Sequence, residues 1–140
     1  MTTLTAPLDT RDAAPGAPAL WAGRVLSGLV VLFLVFDGGI KVAGLDVVRE
    51  TMVQLGLDPA HASGLGVLTL LIALLYAMPR TAVLGAVLLT GLLGGAICTH
   101  LRVGSPLFSH LLFGVYLGAF AWGGLWLRDP RVRSMLPLSR

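Results

Sequence analysis

The chain is expected to be all-α: a four-transmembrane-helix bundle with a short amphipathic interfacial helix between helices 1 and 2. Three observations point there. Of 140 residues, 56% are hydrophobic and only 12% are charged, where a soluble domain carries about 25% charged residues. The 17 charges are also unevenly placed: the 69 residues from Pro59 to Leu127 hold just Arg80 and Arg102. Four stretches, finally, come close to the roughly 20 mostly apolar residues that a membrane span needs. A soluble fold of this size cannot hide so much apolar surface, and a disordered chain would be far more polar.

Taken in order, residues 1–19 are rich in Thr, Ala and Pro. Pro7, Pro15 and Pro18 argue against a regular helix, so this segment is read as a flexible tail. It lacks the basic n-region of a signal peptide. Arg24 before an apolar run leaves a signal anchor open, while Asp37 interrupts the run early and argues against cleavage. The membrane domain covers residues 20–128. Span one runs from about Leu20 to Val42, with Arg24 able to snorkel at one end. In the connection 43–62, Leu45, Val48, Met52 and Leu55 recur at helical spacing while Asp46, Arg49, Glu50 and Gln54 fall elsewhere, the pattern of a surface-lying amphipathic helix. Span two runs from about Ser63 to Met78 and, being short, should begin at or before His61. Met78-Pro79-Arg80 makes a tight hairpin into span three, about Arg80 to Leu101, because Pro ends one helix and suits the first turn of the next. Residues Arg102 to Pro106 form a second short turn into span four, about Leu107 to Leu127. Residues 129–140 are read as a basic cytoplasmic tail.

Orientation follows from the Lys and Arg count. With four spans, both termini and the Pro79 turn share one side, which carries seven basic residues against three (Lys41, Arg49 and Arg102) on the other. The positive-inside rule then places both termini in the cytoplasm, in a bacterial-type inner membrane. Trp21, Trp122 and Trp126 fall on the same predicted inner side, as an aromatic belt would. Gly91 and Gly95 with Gly94 on span three, and Gly114 with Gly118 on span four, are small-residue motifs that permit close helix approach. They imply packing between the two spans of one hairpin or, alternatively, a homodimer. Cys98 lies in an apolar run and is read as a small packed side chain. A lone cysteine excludes an intrachain disulfide and a dithiol redox site.

Ionisable groups at membrane depth are costly, which makes each a candidate. Asp37 and Lys41, four apart on one helix face, lie near the outer end of span one, with Gly38 and Gly39 between them to admit a neighbouring helix. His100 and Arg102 end span three on that side, with Thr90 and Thr99 on the same helix. His110 lies one turn inside span four, and Arg49 and Glu50 are placed to fold over this end. The candidate ligand-binding set is therefore Asp37, Lys41, His100, Arg102 and His110. It is either a polar pocket for a small headgroup, a quinone or a proton-coupled substrate, or a salt-bridge cluster that satisfies interfacial charge. No catalytic residue is nominated. His61, His100 and His110 are the only histidines and none sits in a ligand motif, so no metal or haem site is expected. The glycines lack the lysine and strand of a phosphate loop, and the basic residues form no patch with interleaved aromatics, which excludes nucleic acid.

The stretch Pro79-Arg80-Thr81-Ala82-Val83-Leu84-Gly85-Ala86, followed by Leu89 to Ala96 and Thr99-His100-Leu101-Arg102-Val103-Gly104, resembles the DoxX-like family of small membrane proteins. Arg24 and Asp37-Gly38-Gly39-Ile40-Lys41 fit the same pattern, over roughly residues 22–130. The resemblance implies a four-helix integral membrane bundle and a link to membrane redox complexes, including quinone-coupled sulfur oxidation and oxidative-stress assemblies. It points to Lys41, Arg80, His100 and Arg102. Composition and spacing supply no cofactor motif, so quinone and a redox protein partner are implied by the family alone. The functional expectation is a membrane protein with a candidate polar pocket at its outer end, binding a small molecule, lipid or quinone or serving as accessory subunit of a membrane redox complex. The alternatives are a small proton-coupled transporter using Asp37 and His100, or a structural subunit.

Overall fold

Helix α1 spans Ala17–Ala43 in the computed structural model, which describes residues 16–136. Pro18 sits in its first turn, where a missing N–H costs nothing, so the helix opens three residues before the expected Leu20. Residues 1–15 of the expected tail, and 137–140, lie outside the described residues. At the other end Gly44 adopts φ 68° and bonds back to the Lys41 carbonyl at 3.2 Å, closing the helix with a left-handed cap.

Helix α2, Asp46–Gln54, is the expected amphipathic segment. Its inward residues are Val48 and Met52, packed on Ala62, Ile40, Leu57 and Leu65. Leu45 caps it from outside and is exposed. A 3-10 turn at Pro59–His61, capped by Asp58 through its Oδ1 and the Ala60 N–H at 2.9 Å, leads into α3, Ala62–Ala77. Together they make a 19-residue span that begins before His61, as expected.

The turn after α3 is held by Thr81, whose hydroxyl donates to the Leu75 carbonyl at 2.8 Å. It thereby satisfies an orphan carbonyl at the helix end. Arg80 is exposed in this turn, and α4, Ala82–Arg102, starts two residues later than expected. Gly104, at φ 68°, turns the chain. Leu107–Leu111 then form one turn of π-helix that continues as α5, Leu112–Arg128. Part of the basic tail proves structured. Asp129 caps α6, Pro130–Met135, by accepting from the Arg131 N–H at 3.0 Å. Val132 of α6 is fully buried, and Arg133 donates to the Trp126 and Leu127 carbonyls.

The long helices close into an up-down-up-down ring. Helix α1 packs on α3 and α5, α4 packs on the same two, and the diagonal pairs hardly meet. Val30, Leu34, Ile72, Tyr76, Leu89 and Leu125 fill the centre. Large apolar side chains such as Leu32, Phe36, Leu71 and Val87 face outward, the reverse of a soluble protein and the surface that acyl chains cover. Among the described residues, four helices are long and apolar enough to cross a membrane.

Close backbone approach occurs where small residues meet, and only in part where the motif spacing suggested. A Cβ on Gly38 would lie 3.0 Å from the Gly66 carbonyl oxygen, so α1 and α3 touch there. Gly114 faces α4, where a Cβ would lie only 3.0 Å from the Ile97 side chain. Gly91, Gly94 and Gly95 have nothing within 4 Å, so that half of the expected α4–α5 packing is corrected. Cys98 lies on this open side and is exposed rather than packed. Trp122 joins the two helices of this hairpin: its Nε1–H donates across to the Thr90 hydroxyl on α4 at 3.0 Å.

Candidate functional site

The end of the bundle where α1 finishes and α5 begins carries the polar side chains singled out by the sequence, but as two separate pairs with Arg102 engaged apart from both. On α1, Lys41 pairs with Asp37 across one helical turn, both side chains about a quarter exposed. Lys41 also stands in the last turn of α1, where a cation is favoured by the helix dipole. Gly38, between the pair, lets α3 press against this side, while Gly39 meets nothing within 4 Å. Each charge thus meets an opposite one, and an unpaired ion within a membrane is costly.

The second set lies on the α4–α5 hairpin. The imidazoles of His100 and His110 face each other with ring centroids 5.3 Å apart and planes tilted by 53°. Nδ1 of His100 lies 3.0 Å from the Ser105 hydroxyl, and Nδ1 of His110 lies 2.7 Å from the Ser109 hydroxyl. Among the described residues neither Nε2 is hydrogen bonded. The turn of π-helix, Leu107–Leu111, carries His110, and such turns occur frequently at functional sites. Phe108, in the same turn, is 77% exposed.

Arg102 is used differently. Its Nη2 donates to the Leu55 carbonyl at 2.7 Å and its guanidinium lies over Gly56, which adopts φ 67°. A cation on the last carbonyls of a helix satisfies orphan acceptors, so Arg102 straps α4 to the end of α2. No hydrogen bond or ion pair among the described residues joins Asp37 and Lys41 to the histidines or to Arg102. Thr90 and Thr99 bond back to carbonyls of their own helix. Arg49 and Glu50 are exposed. Among the described residues, a sideways-open groove of about 510 Å³ lies by the first half of α1 and the end of α5, and a smaller cavity of about 190 Å³ lies between α1 and α5. None of the five candidates lines either cavity. Among the described residues no three His, Cys, Asp or Glu side chains gather as a metal site would require.

One polar centre was missed in the sequence. Tyr76 is fully buried, donates to the Ala121 carbonyl at 2.8 Å and lies 3.2 Å from the Ser27 hydroxyl. It ties α3 to α1 and α5. Arg128 stacks over its ring at 5.5 Å and bonds its carbonyl at 3.3 Å. The available signal was a tyrosine inside an otherwise apolar span, since a buried phenol needs a partner.

Four lipid-length helices closed into a ring, with polar groups gathered at one end, define a multi-pass integral membrane bundle. A family model described as the DoxX-like family matches residues 25–124. The chain belongs to the DoxX-like family, and the match covers parts or all of every membrane helix while leaving α6 outside. No curated protein and no solved structure matches the chain.

Proposed function

We propose that the protein is an accessory subunit of a membrane redox complex whose His100–His110 pair binds the polar head of a membrane-dissolved molecule, quinone foremost. The facing imidazoles carry this reading. When the Ser105 hydroxyl donates to Nδ1 of His100, the ring proton sits on Nε2, a donor suited to a quinone carbonyl oxygen. His110 supplies a second donor from the π-helical turn. The exposed apolar residues around Phe108 give a lipid-soluble tail a surface to follow. Asp37, Lys41 and Arg102 hold the surrounding end of the bundle in place, and quinone enters as ligand rather than as a resident cofactor. The side-chain packing at the centre of the ring weighs against the alternative of a proton-coupled transporter. The open Gly91, Gly94 and Gly95 face of α4 supports a homodimer beside it. The seven-to-three excess of basic residues supports an inner-membrane location with both termini in the cytoplasm.

Two hydrogen bonds of about 1 kcal/mol each correspond to roughly thirty-fold in affinity. Protein purified from its native membrane is therefore expected to carry extractable quinone, with the content falling at least ten-fold in His100→Ala/His110→Ala. Equal quinone in a folded double variant would refute the proposal.

A further inference from the structure

The larger cavity lies at the opposite end from the histidines and is built from different chemistry. Gly28, Val31, Leu32 and Val35 of α1 form its apolar wall, and Arg24 and Arg128 also line it. The two arginines are brought to its edge by a helix contact. A Cβ on Gly23 would lie 2.8 Å from the Gly124 carbonyl oxygen and 3.1 Å from the Cβ of Arg128, so α1 and α5 touch just where the two arginines emerge. Neither arginine forms an ion pair among the described residues. Arg128 spends Nη2 on the Tyr76 carbonyl, and its Nε–H is buried without an acceptor. Arg24 stacks on Trp21 at 5.7 Å, at the level where tryptophan marks the headgroup region.

Two like charges beside one apolar groove, at the foot of a membrane bundle, are complementary to one kind of neighbour. We infer that this groove is a binding site for an anionic phospholipid, its phosphate between Arg24 and Arg128 and one acyl chain along Gly28, Val31 and Val35. A guanidinium offers a phosphate paired donors in one plane. The volume of about 510 Å³ lies within the roughly 300–1,000 Å³ typical of ligand sites. Gly28 borders open space in the groove: a Cβ there meets nothing within 4 Å. The positive-inside orientation puts the site in the cytoplasmic leaflet, where anionic lipids attract arginine.

The test uses the full chain reconstituted in nanodiscs of phosphatidylglycerol and phosphatidylcholine, with bound lipid counted by native mass spectrometry after release. The unaltered protein is expected to retain one phosphatidylglycerol in preference to phosphatidylcholine. Arg24→Gln should lower that retention about five-fold, the worth of one arginine at the membrane surface. Gly28→Leu fills the groove without touching the core and should lower it at least as much. Both positions are outside the packed centre, so each variant is expected to keep its melting temperature. Retention of the two lipids in their bulk ratio would overturn the site. So would a Gly28→Leu variant that binds normally, even if Arg24→Gln lost lipid, because the headgroup would then be held by surface charge with no groove. Loss of both lipids alike in Gly28→Leu, with Arg24→Gln unaffected, would overturn the anionic preference.

Discussion

Gly85→Ala is expected to cost about 3 kcal/mol or more, the upper part of the range for overpacking. A Cβ at this position would lie 2.4 Å from the backbone nitrogen of Tyr76 and 2.6 Å from its Cα. The obstructing atoms are main chain of α3, so no side chain can swing away. Relief requires the two helices to separate at the point where the Met78–Thr81 turn holds them together, with Thr81 bonded to Leu75. In lipid, helices gain little from hydrophobic association and depend on such close approach, so the lost contact has no ready replacement. Gly95→Ala is the matched control. It lies on the same helix, meets nothing within 4 Å, and should change stability by no more than about 0.5 kcal/mol. Thermal unfolding of both variants in one detergent separates the two outcomes. Equal melting temperatures would mean that α3 and α4 do not meet at Gly85.

Tyr76→Ala should be comparably damaging, at about 3–5 kcal/mol for deleting a fully buried aromatic ring. Tyr76→Phe divides that cost. It keeps the ring on which Arg128 stacks but removes the hydroxyl bonded to Ala121 and near Ser27. Hydrogen bonds between membrane helices are worth about 0.6 kcal/mol on average and up to about 1.7, so the phenylalanine variant is expected to lose about 1 kcal/mol. Calibrated denaturation in SDS reads both values. If the phenylalanine and alanine variants unfold alike, the hydroxyl and not the ring is what joins α1, α3 and α5 at this point.

The spans were legible because membrane crossing leaves a signal in local composition: long apolar runs broken at Pro79 and at Arg102 to Pro106. Asp37 and Lys41 were legible for a similar reason, since four residues is one helical turn. The rotational setting of α4 was not. A helix apolar on every face has no polar stripe to mark its lipid side, so Gly91 and Gly95 carried the packing motif while Gly85 carried the packing. Arg102 ends α4, but its acceptor, Leu55, is 47 residues away, and no local pattern reports such a partner. The His100–His110 pair depends on a π-helical turn, which lies between the Gly104 turn and α5 and leaves no periodicity to read. Helix α6 was readable in principle. Asp129 before Pro130 is a helix-opening pair, passed over because the segment stood out first by its positive charge.

The most direct measurement is photo-crosslinking with a quinone analogue that carries its reactive group on the head, applied to the full chain in native membranes and mapped by peptide sequencing. Labelling is expected on residues 98–111, and His100→Ala/His110→Ala should abolish it while leaving the melting temperature unchanged. Label confined to the groove beside Arg24 and Arg128, or label on residues 98–111 that survives loss of both histidines, would contradict quinone binding at the histidine pair.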